Sequence, residues 1–290
     1  MKISATIVSR NDNYGGNLIE RSTYCINSSI DTYDEVFYID WNSDDGSLLD
    51  VIKPNLNLKG NLYHIIIEPR IASYLTKYDQ YAQKCCEVLG RNIGLRRSKA
   101  DWLVSTNIDI IAPVREKLIS TIESLDKNTF YAISRRDVEL QTILNFHKTG
   151  KCEYKDWREL RQYLINNSEE RHFSEKTIDG DDYSLVNCCG DFQIAHRDIW
   201  YNIRGFEEEL IYPLYADTNI QKKAVKHGYG LKAIYNPAFF HINHGKGGGG
   251  FLTGINKKTN DIHRSITFQE KTQNGENWGF SDIEIEYELL

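Results

Sequence analysis

Short apolar runs recur at Ile3–Val8, Glu35–Ile39, Leu62–Ile67, Trp102–Ser105 and Thr129–Ser134, and polar or turn-forming residues close most of them. Runs of this length, rich in β-branched and aromatic residues, predict buried strands. Between them the apolar spacing changes to a helical period. Leu18, Tyr24 and Cys25 fall on one side of a helix over Asn17–Ile30, and Tyr81, Cys85, Val88, Leu89 and Ile93 share a face of Tyr78–Ser98. Pro113 opens a third helix over Val114–Leu125. Strands alternating with helices predict βαβ units, and hence an α/β fold with a mostly parallel sheet flanked by helices.

The pattern then changes. Residues Arg135–Asn187 are polar and mixed, long enough to require structure of their own, with a helix near Tyr154–Ile165. Order returns at Gly190–Ala195, followed by helices over Arg197–Ile203 and Thr218–His227 and a strand over Leu231–Tyr235. A Gly-rich loop, Gly245–Gly250, precedes a tail whose pattern around Asp282–Glu286 predicts a closing strand, packed on the body or on a second subunit. The expected organisation is one domain over 1–245 and a loop and tail over 246–290. The domain has a ligand-binding half (1–135), an insertion (136–187) and a second half (188–245).

Composition narrows the function. With 35 Lys+Arg against 41 Asp+Glu the net charge is −6, so no general attraction to nucleic acid is expected. No stretch approaches the roughly 20 apolar residues of a membrane span. The chain enters a strand pattern at its first residues with no leader-like segment, which predicts a cytoplasmic protein. The six cysteines lack C-x-x-C spacing and read as free thiols.

In open parallel sheets, ligands bind outside the carboxyl ends of the strands. Those ends are rich in hydrogen-bonding groups here: Ser9-Arg10-Asn11, Asp40-Trp41-Asn42-Ser43 and Asn107-Ile108-Asp109. No G-x-x-x-x-G-K-[ST] or G-x-G-x-x-G segment is present, which disfavours a P-loop or a dinucleotide site.

Taken together, these strand ends resemble the nucleotide-sugar half of the GT-A glycosyltransferases, notably the family-2-like group. Asp40-Trp41-Asn42-Ser43 is similar to that family's acidic strand end, which implies that Asp40 holds the base. Arg91-Asn92-Ile93-Gly94 resembles its R-N-x-G helix segment, with Ala100-Asp101-Trp102 at the usual interval beyond. Asn107-Ile108-Asp109 stands in the place of the D-x-D metal motif, with an amide replacing the first carboxylate. Gly190–Asp198 and Gly205-Phe206-Glu207-Glu208 resemble the region preceding the acceptor site, and Tyr215-Ala216-Asp217 resembles the element that carries the carboxylate base. His241 or His244 matches a late histidine that completes the metal site.

The resemblance implies a metal-dependent transferase acting on a UDP- or GDP-sugar and a glycan or other hydroxyl acceptor. Ser9, Arg10, Asn11, Asp40, Asn42, Ser43, Arg91, Asn92, Asn107, Ile108 and Asp109 would bind the donor. Asp191, Trp200 and Tyr215 would meet the acceptor, and Asp217 would be the base. Asp109, His241 and His244 would hold the cation, and imidazole ligands favour Mn²⁺ over Mg²⁺. Asp217 also suits a helix cap. Two rival readings remain at this point: a nucleotidyltransferase on the same fold, and a sugar-binding homologue without activity. The donor reading further expects Asp109 to face the crevice on the side of Asp40, and it leaves a homodimer through the tail open.

Overall fold

The computed structural model describes residues 1–43, 46–76, 85–148, 157–170, 175–177, 184–186, 191–210, 216–245 and 273–290. Tyr81, Tyr215, the Gly-rich loop beyond Gly245 and most of the polar half of the insertion lie outside the described residues.

The strands are β1 (Ile3–Ser9), β2 (Glu35–Trp41), β3 (Leu62–Ile67), β4 (Trp102–Thr106), β5 (Ile110–Ile111), β6 (Thr129–Glu139), β7 (Glu169–Glu170), β8 (Glu175–Thr177), β9 (Ser184–Val186), β10 (Phe192–His196), β11 (Gly230–Asn243) and β12 (Glu288–Leu289). The helices are α1 (Leu18–Thr32), α2 (Leu48–Ile52), α3 (Pro69–Thr76), α4 (Glu87–Arg97), α5 (Arg115–Glu123), α6 (Leu140–Lys148), α7 (Trp157–Asn166), α8 (Arg197–Asn202) and α9 (Ala216–Lys226). The main sheet runs β12-β3-β2-β1-β4-β10-β6-β11-β5, with β7 on β6, while β8 and β9 pair separately.

The sheet is mixed, which corrects the expectation of a mostly parallel one. β3, β2, β1 and β4 are parallel neighbours, and β6 pairs parallel with β11. β10, however, is antiparallel to both β4 and β6, β5 is antiparallel to β11, and β12 to β3. The chain leaves the sheet after β6, forms α6 and α7, and returns through β10 in the gap between β4 and β6. A local hydrophobic pattern marks a strand but carries no record of its direction. The reversal has a structural result: the start of β10 lies against the end of β4, where Phe192 pairs with Thr106.

Both faces of the central strands are covered. On β1, Ile3, Ala5 and Ile7 join the cluster that includes Ile26, Val36 and Val104. Val8 belongs to the cluster on the other face, with Phe37, Leu89 and Ile93 of β2 and α4. α4 approaches that face closely because it carries glycine at 90 and 94. A Cβ on Gly94 would stand 2.5 Å from Thr6 Cγ2 and Oγ1, and one on Gly90 2.7 Å from Val8 Cγ1. Gly94→Ala should therefore force α4 off the sheet and lower stability by about 1–3 kcal/mol in a denaturant titration, despite alanine's better helix propensity.

The tail belongs to this body. Trp278 is buried in a cluster with Val88, Leu95 and Trp200, and Arg97 donates to the carbonyls of Gly279, Phe280 and Ile283 at 2.7, 3.0 and 3.2 Å. The closing strand expected at Asp282–Glu286 forms instead at Glu288–Leu289, on the outer edge of β3. Among the described residues no helix is long and apolar enough to cross a membrane.

Candidate functional site

β4 ends at Thr106, and the next three residues turn across the carboxyl edge of the sheet before β5. The far end of β11 runs past this turn, where Ile242 N donates to Asp109 O at 2.9 Å. β11 reaches it after a register shift against β6 between Ile234 and Phe239, an irregularity that re-aims the strand. As a result Asp109, His241 and His244 converge, with one ligating atom from each within 4.8 Å of the others. His244 Nε2 is 3.0 Å from Asp109 Oδ2 and His241 Nε2 is 3.8 Å from it.

One imidazole is oriented from behind: His244 Nδ1 donates to the Gly245 carbonyl at 2.9 Å. His241 Nδ1 lies 3.2 Å from Asp137 Oδ1, close enough for an ion pair but without a hydrogen bond among the described residues. An outer partner on Nδ1 that leaves Nε2 pointing inward is the usual support of a metal-binding histidine. Asp109 Oδ1 is buried with no hydrogen-bond partner among the described residues. An orphaned buried carboxylate oxygen is costly unless a cation or donor meets it, so the residues fit a divalent ion.

The titration behaviour agrees. Burial acts first on Asp109 and would raise its pKa, but the His244 hydrogen bond and the His241, His244 and Arg21 charges hold it below the carboxylate norm. Burial lowers His241, which keeps that ring neutral, whereas the Asp109 hydrogen bond raises His244. A proton on His244 and a divalent cation would therefore compete for the same Asp109 oxygen.

Asp109 is only 4% exposed, against the expectation that it open onto the crevice. Its cover is thin. The turn after β1 lies over His244: Tyr14 packs on that ring at 4.9 Å between centroids, and a Cβ on Gly15 would be 2.5 Å from Nδ1. Only glycine fits there, since φ at Gly15 is +70° as well. Gly245 N closes the contact by donating to Gly15 O at 3.1 Å. Arg21 ties the turn to the site, donating from Nε to Gly16 O at 3.0 Å and from Nη2 to Tyr14 O, with Nη1 3.6 Å from Asp109 Oδ2.

A second network adjoins the first. Asn107 Nδ2 donates to Asp191 Oδ1 at 2.9 Å, while Arg91 Nη2 donates to Asn107 Oδ1 and Arg91 Nη1 to Ser105 Oγ at 2.8 Å. Arg135 pairs with the other Asp191 oxygen and with Asp137 at 2.9 Å. This explains the amide at 107. A carboxylate can only accept and a guanidinium only donate, so the residue between Asp191 and Arg91 must do both. Burial pushes Asp191 up to about 6, against the pull of Arg135. Asn107→Asp, which restores the acid of the D-x-D pattern, should therefore set two carboxylates against each other and cost about 2 kcal/mol in thermal or urea unfolding.

No family model matches the sequence, and no curated protein matches it. Two solved structures of S. aureus TarS 1–349 are similar, each at 16% identity. The TM-score is 0.48 for one, with 83% of this chain and 60% of that chain covered, and 0.50 for the UDP complex, with 84% and 61% covered. TarS is a GT-A-like glycosyltransferase. The chain shares the GT-A-like fold. It spans less than two thirds of that neighbour's length.

Within the GT-A-like frame, the sequence-predicted residues sort by position. Asp109, His241 and His244 come together, with Asn107, Arg91 and Asp191 beside them. Arg10, Asn11, Asn42 and Ser43 form one knitted wall: Arg10 Nε donates to Asn42 O at 2.6 Å, and Asn11 N to Ser43 Oγ at 2.9 Å. Ser9 is buried beside Tyr38, so it does not join them. Asp40 is fully buried, with its oxygens taken by Ser43 Oγ and by Leu48 N at 3.0 Å. It braces the turn in place of the expected contact with a base.

Asn92 is also fully buried, exchanging hydrogen bonds with Phe206 at 2.8 Å, so it staples α4 to the 205–208 turn and does not reach the site. Trp200 is a core residue, 0% exposed and bonded through Nε1 to Leu103 O at 3.0 Å, which removes it from the acceptor role. Ile108 packs in the core, and Asp191 is buried under Arg135. Asp217 sits inside the first turn of α9, partly exposed and past the expected cap position. The residues that sequence reasoning missed are Tyr14, Gly15, Arg21, Arg135 and Asp137. One signal for the last two was available: 135 and 137 fall on one strand face if β6 is extended past Ser134.

Proposed function

We propose that this chain transfers a sugar from a nucleoside diphosphate-sugar, UDP- or GDP-linked, to a hydroxyl group of an acceptor, using a divalent cation, Mn²⁺ before Mg²⁺. The observation that carries the reading is the convergence of Asp109, His241 and His244 at the carboxyl edge of a GT-A-like sheet, with one carboxylate oxygen left without a partner among the described residues. When bound, the cation supplies positive charge to the leaving diphosphate.

The chain's own residues supply the rest. Asp109, His241 and His244 would hold the ion, with His244 kept in place by its hydrogen bond to Gly245 O. Arg21 and Arg91 bring positive charge toward a diphosphate, offset in part by Glu87, 3.0 Å from Arg91 Nη2. Asn11, Asn42 and Ser43, all partly exposed on the β1–β2 wall, offer hydrogen bonds to the nucleoside. Asp217 takes the proton of the acceptor hydroxyl as its oxygen bonds to the anomeric carbon, and the sugar–phosphate bond breaks with its electron pair leaving on the diphosphate. Attack opposite the leaving group inverts the anomeric centre.

The test is a donor screen in Mn²⁺ followed by addition of hydroxyl acceptors. Release of free UDP or GDP that depends on both cation and acceptor supports transfer. Donor binding with no acceptor-dependent release under any pairing would leave only a binding protein.

A further inference from the structure

A cavity of about 460 Å³ lies outside the metal site, between the end of α3 and the tail. That volume is within the usual range of ligand pockets, about 300–1,000 Å³. Its aromatic lining comes from Tyr74, Trp278 and Phe280, and its polar lining includes Glu208, Asp282 and Asn277. Tyr74 is 73% exposed and stacks on no other ring among the described residues. Asn277 Nδ2 donates to Asp282 Oδ2 at 3.0 Å, leaving the pair's remaining lone pairs and amide hydrogen for a ligand. At the wall, Gly275 is open: a Cβ there would meet nothing within 4 Å.

The lining has a definite chemistry. Aromatic faces pack against the C–H faces of sugar rings, while carboxylates and amides bond vicinal hydroxyls. No lysine, arginine or histidine lines the cavity among the described residues, and two carboxylates do. The nearby Arg97 is committed to tail carbonyls. Arg96, the other nearby cation, is held over the Trp278 and Tyr201 rings at 5.0 Å, so an anionic ligand would meet mainly like charge.

One wall of the cavity is braced from α4. Glu208 Oε1 accepts from Asn92 at 3.0 Å and from Gly279 N at 2.8 Å. Asn92 neighbours Arg91 on α4. Arg91 lies over the Phe206 ring at 5.5 Å and bonds Asn107, two residues before Asp109.

We propose that this cavity binds a saccharide without anionic groups, held by Tyr74 and by the Glu208, Asp282 and Asn277 polar groups. This saccharide site does not depend on the transfer reading.

The experiment uses the full chain, with saturation-transfer NMR against a panel of neutral and of sulfated or uronic oligosaccharides. Calorimetry with UDP and Mn²⁺ runs in parallel. Neutral members should bind, and Tyr74→Ala should weaken them about tenfold, the scale of one lost ring contact. Asp282→Asn should weaken them too, and both variants should keep wild-type UDP affinity. Binding of anionic members only, no binding at all, or binding indifferent to both substitutions would overturn the proposal. Neutral-sugar binding sensitive to Tyr74 in a protein that binds no nucleotide would uphold the cavity and sink the transfer reading.

Discussion

Asp109→Asn is expected to remove cation-dependent nucleotide binding, with at least about a hundredfold loss of UDP affinity in Mn²⁺ by calorimetry, since even outer-shell changes at metal sites cost about 10- to 100-fold. Asparagine keeps the shape and loses the charge. That charge balances Arg21, 1% exposed, and the proton on His244. Removing one partner from a buried ion pair costs about 3–5 kcal/mol, so the variant should also melt earlier.

A pH signature separates the two effects. His244 has a raised pKa, so its pairing with Asp109 is fully present below the unfolded histidine value, 6.5, and is lost as pH rises through the higher folded value. Asp109 is lowered, so its share is present above the unfolded value, 3.8, and is lost as pH falls through the lower folded one. Between those limits the ion-free pair is at its strongest. A cation must displace the His244 proton, so the rise in melting temperature on adding Mn²⁺ should grow as pH climbs past the folded histidine value.

The second large effect is Asp217→Asn. It should cut turnover by about 10²- to 10⁴-fold, the range for loss of a general base, and leave donor affinity near wild type. An acid in the first turn of α9 also interacts with the helix dipole, worth about 0.3–1 kcal/mol. A variant that unfolds only slightly earlier yet has lost turnover therefore assigns Asp217 to chemistry. A loss of stability that matches the loss of rate assigns it to α9 alone.

Much of the fold was legible because central strands buried on both faces leave unbroken apolar runs; Leu62–Ile67 is both the predicted and the observed β3. Direction was not legible. Phe192–His196 reads as a strand whichever way it runs, and its antiparallel entry is what carries Asp191 to Asn107. β6 was cut short at Ser134 because Arg135, Arg136 and Asp137 interrupt the apolar pattern, and those polar residues support the site.

The same ambiguity misplaced three residues. A polar side chain at a strand end looks identical in sequence whether it meets a ligand or a buried backbone group. Asp40 and Asn92 meet buried partners, as does the Trp200 indole. The convergence of His241 and His244 on Asp109 was legible through the resemblance of the H-x-x-H segment, a local match that survives any pairing direction. Arg21 was not, since an arginine in a helix near a turn carries no local mark of the carboxylate it faces 88 positions on (109 − 21).

The most direct measurement is pulsed electron paramagnetic resonance on Mn²⁺ added to the protein with UDP. Hyperfine coupling to imidazole nitrogen, diminished in His244→Gln and again in His241→Gln, together with coupling to diphosphate phosphorus, is the predicted result. A Mn²⁺ signal that shows phosphorus but no histidine nitrogen, or that is unchanged in Asp109→Asn, would contradict the account.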